Sequence, residues 1–200
     1  MKPVSSISAP ALTISFITAT FGMLNFASGV FALDADSIVA IGLIKLLLGT
    51  LYFIAALVNI FKGIPLGNIN LIFSVCFGLF SGTNLMITTI HGGLSLISLP
   101  KIYGMLQITA GLYLLCLLPA LRHVPLYQWI NFGLTVLGLC SFGIEQISGW
   151  TWLSAAGGWI FLIFGLINIY SGLSTLLPLP QGKSLEELMN AKRSARSALR

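Results

Sequence analysis

The sequence is poor in charge: of its 200 residues, 10 are Lys or Arg and 5 are Asp or Glu, 8% of the chain. Soluble domains carry about 25% charged residues, so this composition cannot build a water-facing surface. A soluble enzyme, an intrinsically disordered chain and a nucleic-acid-binding domain are excluded together. Cysteine is scarce too, at three residues. Cys76, Cys116 and Cys140 all lie in apolar runs without CxxC spacing, which favours buried thiols over disulfides or a metal site. The two histidines, His91 and His123, stand at the ends of apolar runs. No H-E-x-x-H, G-x-S-x-G or paired-carboxylate pattern accompanies them. The expectation is a protein that is not an enzyme and holds no cofactor or metal. An N-x-S/T sequon is absent, and no A-x-A-like cleavage site precedes a polar domain, so the first apolar run reads as a retained span.

What is present is apolar. Hydrophobic residues form 56% of the chain, and the mean hydropathy is +0.97. A helix crossing a bilayer needs about 20 largely apolar residues. Such runs occur at roughly 10–32, 38–61, 67–90, 101–120, 127–147 and 152–177. They predict an all-α, polytopic membrane protein: a short segment 1–9, a six-helix transmembrane domain 10–177 and a basic tail 178–200. Lys2, Lys62, Arg122 and the tail cations Lys183, Lys192, Arg193, Arg196 and Arg200 fall on one side of six crossings. Asp34, Asp36, Glu145 and a single loop cation, Lys101, fall on the other. The positive-inside rule then predicts that both termini are cytoplasmic. Trp150, Trp152 and Trp159 suit an interfacial aromatic belt on the outer side. Residues 185–200 fit either an amphipathic helix drawn to anionic lipid or a solvated tail.

Small residues recur at seven-residue spacing: Gly42, Gly49, Ala56 and Gly63; Gly67, Ser74, Ser81 and Thr88; Gly158, Gly165 and Gly172. This spacing lines one helical stripe with small side chains and lets backbones approach closely, either inside a subunit or between subunits. The spans otherwise carry neutral polar groups, among them Asn25, Asn70, Ser81, Asn84, Gln107, Asn131, Thr135 and Asn168. Each can serve a helix–helix hydrogen bond, and together they suggest a path for a small polar solute. Lys45 is the one charge well inside a span. It lies about two turns from the span's outer end, within reach of the interface by snorkelling; the second reading is an intramembrane cation that attracts anions.

Specific strings resemble a known family. Gly29-Val30-Phe31-Ala32-Leu33-Asp34 is similar to the G-Y-F-A-L-D that follows the first span of the acetate uptake transporter family, the succinate–acetate permeases. Ser8-Ala9-Pro10 aligns without gaps to the P-A-P of that family's N-P-A-P-L-G signature. Phe132-Gly133-Leu134-Thr135-Val136-Leu137 and Gly158-Trp159-Ile160 extend the likeness over roughly residues 8–180. Gly63-Ile64-Pro65-Leu66-Gly67 stands where the family has G-N-T-F-G, and Tyr52 and Asn59 stand where it has Gln and Glu.

The resemblance implies a homohexamer in the inner or plasma membrane, surrounded by lipid, with a pore in each subunit for acetate and similar monocarboxylates. It also implies a narrow apolar neck at Phe16, Ser74 and Leu134, Ser74 replacing the family's Tyr. Asn70, Asn131 and Thr135 are the neutral groups expected to contact substrate around it. An ionised carboxylate resists leaving water for an apolar passage, so the acid, or anion and proton together, is the expected cargo. A channel for urea or an amide and a non-transporting structural subunit are the alternatives. No nucleic-acid partner is expected.

Overall fold

Several helix boundaries have a local cause. The computed structural model describes residues 9–63, 67–90, 98–177, 182–184 and 186–191. Helix α1 covers Ala9–Val30 and α2 covers Ala35–Phe61. Asp34 caps α2, its Oδ1 accepting from the Ser37 amide at 2.7 Å, where a carboxylate also meets the positive end of the helix dipole. Contacts with Ser37 hold the Asp34 carboxyl below its usual pKa. A depressed folded-state value stabilises above the unfolded value, about pH 4, and that contribution fades as pH falls through the folded value. Asp34→Ala is therefore expected to lower the melting temperature at pH 6, and to lower it by progressively less as the pH is taken down from about 4, as thermal unfolding in detergent will show.

Helix α3 spans Gly67–Ile90. Its middle, Ser74–Phe80, widens to π-helical turns between the α-helical Gly67–Phe73 and Ser81–Ile90, an irregularity frequent at functional sites. Helix α4, Ser98–Leu117, tightens into a 3₁₀ turn at Leu118–Leu121 around Pro119. Helix α5 covers Leu126–Ser148 and α6 covers Thr151–Leu176. Helix α5 ends within one residue of the boundary expected at 147. The helix runs on to Ser148, where Gly149 at φ 74° ends it and returns its amide to the Glu145 carbonyl, a left-handed cap that glycine adopts without a Cβ penalty.

Among the described residues, six helices are thus long and apolar enough to cross a membrane. They pack as a ring: α1 against α6, α6 against α5, α5 against α4, α2 against α3, with α1–α2 and α3–α4 contacts closing it. The small-residue stripes are used inside this ring. A Cβ built on Gly78 would lie 2.3 Å from the Gly49 Cα, and one on Gly82 would lie 2.6 Å from the Gly42 carbonyl oxygen. Gly158, Gly165 and Gly172 all face α1, at Val30, Ala19 and Ser15. Two stripe members depart: Gly63 takes φ 69° beyond the end of α2, and Thr88 is exposed and donates to its own helix at Asn84 O.

The tail returns to the α4–α5 turn. The Leu126 amide donates to Lys183 O at 3.1 Å and the Glu186 amide to Arg122 O at 3.2 Å, and residues 186–191 form an exposed helical turn. Segment 1–8 and the cations Lys192, Arg193, Arg196 and Arg200 lie outside the described residues. Trp150 and Trp152 are exposed at the α5–α6 turn, and Trp159 packs edge-on against Phe26 at 5.0 Å.

Candidate functional site

Lys45 does not snorkel. It is the eleventh residue of α2, about 15 Å along the axis from Ala35, and only 1% exposed. Its Nζ donates to Asn25 Oδ1 at 2.7 Å and to Ser81 Oγ at 2.9 Å. Two polar side chains from α1 and α3 thus replace the water that snorkelling would have reached, which turns the cation inward.

The ammonium borders a cavity of about 80 Å³. All six helices line it: Asn25 and Ser28 from α1, Lys45 from α2, Ser81, Asn84 and Leu85 from α3, Tyr103 and Gln107 from α4, Phe142 and Gln146 from α5, and Ser154 from α6. A cavity therefore sits on the bundle axis, towards the end that carries Asp34 and Gly149. Three of its polar atoms, Asn25 Nδ2, Asn84 Oδ1 and Gln107 Oε1, are buried without a hydrogen-bond partner. Such groups are costly in an apolar interior and normally find a protein or water partner. Tyr103 donates its hydroxyl to Cys76 O at 3.1 Å. No carboxylate lines the cavity, and among the described residues no cluster of His, Cys, Asp and Glu could hold a metal.

Next to the cavity the axis is closed by aromatic rings. Phe161 stacks on Phe142 at 5.4 Å and meets Phe77 edge-on at 5.1 Å. Phe73 and Phe164 meet at 6.1 Å, and Phe21 stands 6.3 Å from Phe77. Beyond the rings lies a second polar group: Tyr52 donates its hydroxyl to Asn70 Oδ1 at 3.0 Å, with the Thr18 hydroxyl 3.3 Å from it. A polar chamber, an aromatic plug and a polar rim thus follow one another between the helices. Larger depressions lie elsewhere. One of about 470 Å³ between α3 and α4 is lined mainly by apolar side chains, and one of about 540 Å³ lies beside the tail; neither contains a buried charge.

The residues expected from sequence are spread around this axis. Asn70 belongs to the Tyr52 group. Ser74 is fully buried and donates to Gly49 O at 2.9 Å, so its hydroxyl serves the α2–α3 seam. Thr135 is fully buried and donates to the Asn131 carbonyl at 2.9 Å, while Asn131 Oδ1 has no partner. Leu134 is half-buried. Phe16 is 65% exposed and borders a depression of about 150 Å³ between α1 and α6 with Asn168. Phe16 and Ser74 therefore do not meet on the axis of the single chain. None of the plug phenylalanines is among the residues expected from sequence. Their signal was available in the helical spacing of Phe73 with Phe77 and of Phe161 with Phe164, which puts each pair on one face.

Searches of protein-family models and of curated proteins find no match to this chain.

Proposed function

We infer that this membrane protein conducts a small monocarboxylate, acetate or a close analogue, across the bilayer through the axis of each subunit, as the acid or as anion with proton. The observation that carries this reading is the succession of partnerless polar atoms and aromatic rings along the bundle axis. A purely structural bundle gains nothing from gathering Asn25 Nδ2, Asn84 Oδ1 and Gln107 Oε1 around a central cavity without a protein partner for any of them. A path that a hydrated solute enters supplies their partners. The phenylalanine plug would act as the neck, closing to water by dewetting and passing a solute only when its charge is neutralised.

The resemblance of Gly29–Asp34 and of the strings around Leu134 and Gly158 to succinate–acetate permeases supports the same cargo. It also supports assembly as a homohexamer in an inner or plasma membrane, and the side bias of the loop cations supports cytoplasmic termini. The role is that of a transporter, not an enzyme. Proteoliposomes separate this reading from its alternatives. Uptake of labelled acetate above that of empty vesicles, with urea flux at the empty-vesicle level, is the expected result. Urea flux without acetate flux would make it a neutral-solute channel, and absence of both would make it a structural subunit.

A further inference from the structure

We propose that the chamber beside Lys45 is a binding site for one small monovalent carboxylate, of formate or acetate size, with Lys45 as its counter-ion. This deepens the transport reading by assigning a resting place to the cargo, and it rests on that reading only for the anion's onward passage; binding itself does not.

Charge comes first. Lys45 is buried in a membrane-spanning helix, and no carboxylate lines its cavity. An isolated ammonium in such surroundings is expensive unless paired, and the two groups that hold it, Asn25 Oδ1 and Ser81 Oγ, are neutral. An anion in the chamber would supply that pairing. Donor geometry sets its shape. The ammonium has three donors and spends two. The Asn25 amide that accepts one of them carries Nδ2, a buried donor without a partner. The third Nζ–H and Asn25 Nδ2–H are therefore neighbouring free donors, which the two oxygens of a carboxylate satisfy together and a single halide does not match as well. Asn84 and Gln107 sit across the chamber with partnerless oxygens, and either amide can present its nitrogen instead by a half-turn of its terminal group.

Size and valence follow. A chamber of about 80 Å³ exceeds what one water needs, roughly 10–15 Å³ on this measure, and is small for a drug-sized ligand, whose pockets run from about 300 Å³. One cation balances one negative charge, so a dicarboxylate would leave its second charge unpaired beside Phe142.

The test is calorimetric titration and thermal unfolding of the purified protein in nanodiscs of neutral lipid, with sodium formate, acetate, chloride and succinate. Formate and acetate should release heat and raise the melting temperature in a concentration-dependent way, with chloride and succinate at least tenfold weaker. Lys45→Met should abolish the response. Asn84→Leu, which fills the chamber and leaves both hydrogen bonds of Lys45 in place, should weaken it at least tenfold and keeps the test decisive if Lys45→Met does not fold. Acetate binding that is unchanged in either folded variant, chloride binding as tight as acetate, or no binding by the wild type would each overturn the proposal. Lys45-dependent acetate binding without acetate flux would leave the site standing and remove the transport reading. Flux that persists unchanged in Lys45→Met would remove the site from the path.

Discussion

Gly78→Val should leave little correctly folded protein. The Cβ it introduces would point at the Gly49 Cα from 2.3 Å and at the Lys45 carbonyl oxygen from 3.2 Å. Both obstacles are backbone, so no rotamer change relieves the clash and α2 must move away from α3. Overpacking a core costs about 1–3 kcal/mol where side chains can yield; here the cost should reach or exceed the top of that range. The displacement would also break what the seam positions, namely the Ser74 bond to Gly49 O and the Ser81 bond to Lys45. Gly133→Ala is the control, because a Cβ there meets nothing within 4 Å. Size-exclusion profiles and unfolding midpoints in detergent should show a large loss for the first variant and none for the second. Equal midpoints would mean that the α2–α3 seam is not packed as described.

Phe161→Ala should open the plug. Phe161 is fully buried and meets Phe77, Phe142 and Phe164 at 5.1, 5.4 and 5.7 Å. Deleting such a ring from a soluble core costs about 3–5 kcal/mol. The cost here should lie near the lower figure, because the ring leaves lipid rather than water when the bundle assembles and its gain is chiefly packing. The void joins the chamber at Lys45 to the Tyr52–Asn70 side through a wider passage, so wetting the neck becomes easier. Acetate flux should rise on the order of tenfold, a barrier lower by about 1.4 kcal/mol, and discrimination against urea should fall. Leu134→Ala tests the neck implied by the family resemblance, since a larger effect at Leu134 than at Phe161 would move the constriction to α5.

The six helices were legible because length and hydropathy alone define a span, and because Asp34 and Gly149 act locally. Small-residue spacing told that helices approach closely; which helices meet was not legible, since a stripe at Gly158, Gly165 and Gly172 says nothing about Gly22 and Ser15 opposite it. The direction of Lys45 was undetermined for the same reason. A lysine two turns inside a span reaches the interface or turns inward according to its neighbours, and the deciding ones, Asn25 and Ser81, are 20 and 36 residues away in the chain. Ser74 illustrates the converse. Its place on the stripe already allowed a helix-facing hydroxyl, and the bond to Gly49 O gives it that role.

The proposed passage couples a monocarboxylate to neutralisation of its charge. Its most direct measurement is labelled acetate uptake into proteoliposomes of the wild-type protein, with and without an inward proton gradient and against empty vesicles under the same gradient. The account predicts protein-dependent uptake that saturates with acetate and rises when the gradient is imposed. Uptake equal to that of empty vesicles in both conditions would contradict it.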